Sequence, residues 1–76
     1  METIITGAIT ATDLGNLGQK YYGFISIETE ERERFKIKVG AYTKYETLDI
    51  GRRVHIVAEP LGNKGIMTAK SVLLAD

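Results

Sequence analysis

Two stretches of the sequence decide the fold, Lys20-Tyr21-Tyr22-Gly23-Phe24-Ile25 and Phe35-Lys36-Ile37-Lys38. Side chains of a β-strand alternate between the two faces of a sheet, so each stretch divides into two sets. One set is mainly apolar and comprises Tyr21, Ile25, Ile27, Phe35, Ile37 and Val39. The other set is aromatic and basic and comprises Lys20, Tyr22, Phe24, Arg34, Lys36 and Lys38. The pattern predicts two neighbouring strands with a core face and an aromatic and basic outer face.

The outer face suggests a function. Aromatic rings stack on unpaired bases while nearby cations neutralise the phosphates, which is how single strands are commonly bound. A structural explanation stands beside this one, because exposed strands use Lys, Arg and Tyr for solubility, β propensity and edge protection, and a loop can cover an outward ring. We interpret the face as a site for single-stranded RNA or DNA and keep the structural explanation as the alternative.

The remainder of the chain consists of short alternating segments separated by turn residues, which is typical of an all-β barrel or sandwich. A bulge or bend is expected at Gly7, a turn at residues 13–18, a charged hairpin tip at residues 28–33 and an irregularity near Ser71. The predicted strands are Thr3 to Thr12, Lys20 to Thr29, Glu33 to Gly40, a fourth that begins after Gly51 and is ended by Pro60, and Ile66 to Leu74.

A short helix is expected between the third and fourth strands. Thr43-Lys44-Tyr45-Glu46 fits a capping box, and Tyr42, Tyr45 and Leu48 follow at spacings of three. One or two helical turns would then end before Gly51. The predicted fold class is therefore all-β, a five-stranded OB-fold Greek-key barrel with a short helix between strands three and four, in which residues 1–76 form a single domain.

Strand parity predicts one hydrophobic core, and the OB-fold predicts where a ligand would bind. In that fold the one-to-two and four-to-five loops flank the face of strands two and three. Leu-Gly-Asn occurs in both predicted loops, at residues 14–16 and 61–63, which convergent turn chemistry explains most simply. Arg53, His55 and Lys64 would extend the footprint from the far side of the cleft. The predicted core is Ile5, Ile25, Ile27, Phe35, Ile37, Val39, Val54, Ile56, Met67 and Ala69.

Residues 20–25 resemble the first RNA-binding motif of cold-shock domain proteins, K-G-[FY]-G-F-[IV]. Residues 47–54 are similar to that family's T-L-x-x-G-x-x-V, and Lys64-Gly65 with Ala69 and Val72 is similar to its K-G-P-Q-A-x-x-V. Residues 5–9 and 65–72 also resemble the opening and closing strands of OB domains of the replication protein A and tRNA-anticodon-binding kind.

The cold-shock resemblance implies that Tyr22 and Phe24 stack bases and that Lys20 contacts a phosphate. The second motif of the family, F-V-H, departs here, because its aromatic and His positions fall on Lys36 and Lys38. The family's Trp falls near Ala11. The chain is therefore expected to be a diverged OB-fold binder rather than a cold-shock protein.

Composition limits the other classes of function. The net charge is zero, but residues 1–33 carry six acids and two bases, whereas residues 34–76 carry eight bases and four acids, so the local potential can be positive. Cysteine is absent, which excludes disulfides and thiolate metal sites and suits a reducing cytoplasm. No apolar run approaches the roughly 20 residues of a membrane span, and the N-terminus lacks the pattern of a secretory signal. A soluble, cytoplasmic protein is expected.

No catalytic or cofactor chemistry is expected. His55 is the single histidine, and neither a nucleophile nor an orienting acid can be placed beside it from the sequence. One histidine without cysteine does not provide a metal cluster. Gly15-Asn16-Leu17-Gly18 has neither the dinucleotide-binding spacing nor the Gly-Lys-Ser/Thr of a P-loop.

Two other kinds of function stay open. The near-neutral charge favours a protein-interaction or oligomerisation module in which Tyr22 and Phe24 are anchors buried against a partner. The chain is alternatively an accessory domain of a larger protein.

Overall fold

The computed structural model describes residues 2–60 and 66–75, which form five strands. The strands close into a barrel in the order β1-β2-β3-β5-β4, in which β3 and β5 are parallel and the other pairs are antiparallel. Within the described ranges there is no helix, and accordingly none that is long and apolar enough to cross a membrane. The strands are β1 (Thr3–Leu17), β2 (Lys20–Glu28), β3 (Arg34–Tyr45), β4 (Arg53–Pro60) and β5 (Met67–Leu74).

Strand β1 is longer than expected because it pairs with two partners in succession. Residues 3–8 pair with β4, and residues 8–17 pair with β2. The ladder is regular at Gly7, where a bulge or bend was expected, and shifts instead between Ile9 and Ala11. The predicted turn at residues 13–18 was wrong: these residues continue the strand to Leu17, and the chain turns only at 18–19.

The outer part of the β1–β2 hairpin projects past the rest of the sheet. The last β2–β3 pair is Gly23 with Val39, so residues 20–22 of β2 pair with β1 alone. Residues 13–22 are called the arm below. Gly15 leaves room for the ring of Tyr22, because a Cβ at this position would lie 3.0 Å from that ring.

The predicted core is confirmed in its main part. Ile27, Ile37, Val54 and Ile56 are fully buried, while Phe35 and Met67 are half-buried and pack against the cluster. Tyr21, which was assigned to the inner face, is 46% exposed because it lies on the arm, beyond the last β2–β3 pair. The buried cluster is Ile5, Ile9, Ile25, Ile27, Ile37, Val39, Val54, Ile56, Ala58, Ala69 and Val72.

The predicted helix between strands three and four was wrong, because the residues of the supposed capping box bond to strands. The buried Thr43 hydroxyl donates to the Ala69 carbonyl at 2.6 Å and accepts from the Gly40 N–H at 2.9 Å. The Glu46 carboxylate accepts from the Leu74 N–H at 2.7 Å. Strand β3 consequently runs through to Tyr45.

Strand β3 is irregular in its second half. From Val39 to Lys44 it advances five residues while its partner β5 advances two, from Ala69 to Ser71. Residues 40–43 therefore form a bulge, closed by the Thr43 hydroxyl. The irregularity expected near Ser71 is confirmed, since the β4–β5 register also shifts between Ala69 and Ser71.

Charged groups outside the barrel core form exposed ion pairs. The Lys70 ammonium lies 2.6 Å from Glu2 and 3.5 Å from Glu59. Its hydrogen bond and positive charge lower the pKa of Glu2, and the same hydrogen bond to Glu2 raises the pKa of Lys70. Exposed pairs of this kind contribute little stability.

Candidate nucleic-acid interface

The predicted aromatic and basic side chains of β2 and β3 lie on one outer face of the barrel. Phe24 pairs with Lys38 in the ladder, and Ser26 pairs with Lys36. Opposed residues of antiparallel strands project to the same side. The Lys36 Nζ lies 4.9 Å from the centroid of the Phe24 ring, a cation–π contact between the strands. We call Lys20, Tyr22, Phe24, Lys36 and Lys38 the aromatic–basic face.

The two rings of this face differ in exposure. Tyr22 is 47% exposed and lies over Gly15 of β1, whereas Phe24 is half-buried beneath Lys36. Both rings are held by paired backbone, since Tyr22 is opposite Gly15 and Phe24 is opposite Asp13. The paired strands thus present two aromatic rings at alternate positions of β2, which suits stacking on successive bases.

The electrostatics of the face are positive although the chain is neutral. The face carries three lysines. The Asp13 carboxylate belongs to the neighbouring strand β1, where Asp13 is opposite Phe24. The Lys20 ammonium donates to the Ala41 carbonyl at 3.4 Å. Cationic groups on one side of a neutral molecule create a local field that attracts phosphate.

The remaining predicted site residues lie elsewhere. Arg34 is at the hairpin end of β3, where its guanidinium lies 3.9 Å from the Glu28 carboxylate. Arg53 and His55 are on β4, which adjoins neither β2 nor β3 in the barrel. Lys64 lies outside the described residues.

Both β4 side chains have partners within the chain. The Arg53 guanidinium lies 2.8 Å from the Glu30 carboxylate at the β2–β3 hairpin tip. His55 Nδ1 and the Thr6 hydroxyl are hydrogen-bonded to each other. The structure therefore groups Lys20, Tyr22, Phe24, Lys36 and Lys38, with Arg34 at one end, and places Arg53 and His55 on another wall of the barrel.

A cleft next to the face was not expected from the sequence. It opens where the arm and β3 part, has a volume of about 620 Å³, and is called the fork cleft below. Its walls include Leu17, Tyr21 and Tyr22 on the arm, and Lys38, Gly40 and Ala41 on β3. Leu17 is 75% exposed. It ends β1, whereas the sequence pattern placed it in a turn.

The sequence next to this cleft, at residues 42–45, contains a strand pattern that was interpreted as a helix. Tyr42-Thr43-Lys44-Tyr45 is rich in aromatic and β-branched residues, which favours a strand, but we assigned it to a helix because of the capping-box pattern. Tyr42 is 95% exposed on the bulge. The parting of the arm from β3 depends on pairing registers, which no local pattern of the sequence specifies.

Comparison with known proteins identifies the fold alone. No protein-family model matches the sequence, and no curated protein matches it significantly. Among solved structures, the crystal structure of Ag(I)CusF superposes with a TM-score of 0.73 over 99% of both chains, at 16% sequence identity. The chain is a five-stranded small β-barrel of the OB-like kind. At this identity the similarity extends to the fold and not to the ligand.

Proposed function

We propose that the protein binds single-stranded RNA or DNA, with little sequence preference, through the aromatic–basic face. The observation that carries the proposal is the contact of Lys36 with Phe24, beside the exposed ring of Tyr22. Flat rings and flexible cations alternate there on paired strands. Such a surface accepts any base by its π face and any phosphate by its charge, which predicts affinity without strong sequence choice.

The roles of the side chains follow from their positions. Tyr22 and Phe24 stack on two bases, and Lys20, Lys36 and Lys38 contact the phosphates between them. Arg34 extends the path towards the β2–β3 tip, where the Glu28 carboxylate lies 3.9 Å from it. The strand would therefore run along β2, with its strongest contacts near the arm.

Lys36 has to leave the Phe24 ring before a base can stack there. An exposed cation–π contact is worth about 0.5–1 kcal/mol, whereas stacking of a base on an aromatic side chain is worth about 1–3 kcal/mol. The ammonium also gains a phosphate partner when it moves. The exchange favours binding, so the contact shields the ring in the free protein without blocking the site.

The same face supports a second candidate, a protein-interaction or oligomerisation module. Leu17 and Tyr22 are exposed apolar groups, and the net charge of the chain is zero. The exposed side chains suit anchors that are buried against a protein partner, and the zero net charge does not oppose such an interface. Salt separates the two functions, because phosphate binding weakens with salt and apolar association does not.

Silver binding is not part of the proposal. Ag(I) is a soft cation, and soft cations select thiolate and thioether ligands. The sequence contains no cysteine, one histidine and two methionines, Met1 and Met67. Within the described residues Met67 is half-buried against the core, and no three His, Cys, Asp or Glu side chains converge. The likeness to Ag(I)CusF therefore supports the barrel and supplies no ligand.

Two measurements test the proposal. Fluorescence anisotropy of labelled oligothymidylate and oligouridylate is followed at about 50 mM and about 200 mM salt, and sedimentation is run with and without oligonucleotide at both. We expect a monomer that binds both oligonucleotides and loses affinity at the higher salt. A salt-resistant dimer that ignores the oligonucleotides would contradict nucleic-acid binding and support the interaction module.

A further inference from the structure

The fork cleft results from two features of the strand pairing. Pairing of β2 with β3 ends at Gly23 and Val39, while the arm continues outward with β1. On the other side, residues 40–43 of β3 bulge away from β5. The two chain segments thus separate and leave a cavity of about 620 Å³, within the range of small-molecule sites.

The walls of the cleft are apolar, and its rim is cationic. Leu17 and Tyr22, which line the arm side of the cleft, are 75% and 47% exposed. The Lys20 ammonium spans the gap to the Ala41 carbonyl at 3.4 Å. An ammonium has three N–H donors, so this contact leaves donors for an anion, and Lys38 lies on the opposite wall.

This chemistry fits a flat apolar group that carries an anion, as a nucleobase with its phosphate does. The cleft is continuous with the aromatic–basic face, since Tyr22, Phe24 and Lys38 belong to both. A base leaving the stack at Tyr22 therefore has an apolar space beside it, and its phosphate stays near the lysines. An acidic peptide with an aromatic side chain is the competing ligand.

We propose that the fork cleft holds one unstacked base of the bound strand and thereby fixes the position of the strand on the protein. This proposal rests on the proposed function. The face alone allows the strand to slide, because every base stacks similarly. When the cleft holds a base, the nucleotide that carries this base contributes more to affinity than its neighbours do.

Gly40 offers a direct way to close the cleft. A Cβ built at Gly40 meets none of the described atoms within 4 Å, and its φ is outside the left-handed region. Its N–H bonds to the Thr43 hydroxyl, which any residue except proline preserves. Gly40 lines the cleft, so Gly40→Leu adds a side chain to its β3 wall and replaces none of the rings or lysines of the face.

The test is an abasic scan. The shortest oligothymidylate that binds the wild-type protein with full affinity is prepared with one abasic position, moved along the strand. We expect one position to cost about tenfold in affinity, more than its neighbours, because one base loses the cleft. In Gly40→Leu we expect every abasic position to cost a similar loss of affinity, while the slope of log Kd against log salt stays as in the wild type.

Two variants control the interpretation. Thr3→Leu adds a similar side chain at an exposed position of β1 that pairs with β4, and should keep the uneven scan. Leu17→Ser removes one wall without disturbing the core, and should flatten the scan even if Gly40→Leu folds poorly.

Each result decides the proposal. Tight binding with an even scan in the wild type would overturn the base-in-cleft proposal and leave the proposed function intact. An uneven scan that persists in Gly40→Leu and Leu17→Ser would also overturn it. Absence of binding to every oligonucleotide would overturn both proposals, and direct binding of a labelled acidic aromatic peptide would then identify the cleft as a protein site.

Discussion

Lys36 and Phe24 are joined across two strands, with the Lys36 Nζ 4.9 Å from the centre of the Phe24 ring. The contact places a cation directly on an aromatic surface at the outside of the barrel. The Phe24 ring suits stacking on a base, and the Lys36 ammonium suits contact with a phosphate. Their effects on binding are therefore separable by substitution.

Removing a ring should lower affinity and leave the salt dependence almost unchanged. Tyr22→Ala and Phe24→Ala are each expected to cost about 1–3 kcal/mol of binding free energy, because each removes a base-stacking contact. Neither removes a phosphate contact. Tyr42→Ala is the matched control, because Tyr42 is 95% exposed but lies on the bulge, away from the face. Anisotropy titrations at several salt concentrations measure both quantities. Equal effects of all three variants would remove the special role of Tyr22 and Phe24.

Removing a lysine should change the salt dependence itself. Lys36→Gln or Lys38→Gln is expected to weaken binding to all sequences alike and to reduce the log–log salt slope by about 0.7, the single-strand value for one phosphate. Lys44→Gln removes an exposed lysine beyond the bulge and should leave the slope unchanged. An unaltered slope in both face variants would show that these lysines do not contact phosphate.

Asp13 should oppose binding. It is opposite Phe24 in the β1–β2 ladder, so its carboxylate repels phosphates on the face. Asp13→Asn is expected to raise affinity by up to about fivefold at low salt, equivalent to the roughly 1 kcal/mol upper range of exposed charge interactions. The gain should shrink as salt screens the charge. A loss of affinity would place the strand away from Asp13.

Gly23 and Gly40 should respond oppositely to alanine. At Gly23 the φ angle is 138°, and a Cβ would collide with the Asp13 carbonyl oxygen, so Gly23→Ala is expected to destabilise the fold by at least about 1–3 kcal/mol. At Gly40 a Cβ meets no described atom, and Gly40→Ala should be neutral or stabilising by up to about 1 kcal/mol. Urea unfolding compares the two. Similar midpoints would show that Gly23 does not lie against the Asp13 carbonyl as described.

The Thr43 hydroxyl should be needed for the bulge that borders the fork cleft. Thr43→Val keeps the shape but removes the partner of the Gly40 N–H and the bond to the Ala69 carbonyl. The expected cost is about 1–3 kcal/mol, because polar groups are left unpaired in a partly buried site. Thr43→Ser keeps the hydroxyl and should recover most of this stability in the same unfolding measurement.

The barrel could be predicted from the sequence because burial follows strand parity. Ile25, Ile27, Ile37 and Val39 alternate with half-buried residues on β2 and exposed residues on β3, and a shift of one residue would turn them all outward. The aromatic–basic face follows from the same alternation. Five residues of the predicted site therefore lie together as expected.

The arm, the bulge and the missing helix could not be predicted because they depend on contacts between distant residues. Thr43 and Glu46 match a capping box locally, but their acceptors and donors are supplied by Ala69 and Leu74. Gly15 is a turn residue by type, yet it pairs with Tyr22 in the β1–β2 ladder and lies beneath the Tyr22 ring. Arg53 and His55 alternate outward as predicted, but the strand order places them on another wall.

Amide chemical-shift mapping locates the bound strand on the barrel residue by residue. A labelled sample of the protein is titrated with a single-stranded oligothymidylate, and shifts are assigned residue by residue. We expect the largest changes on residues 20–26 of β2 and 36–41 of β3, with small changes at Arg53 and His55. Changes concentrated on β4 and β5, or none at a saturating oligonucleotide concentration, would contradict binding at the aromatic–basic face.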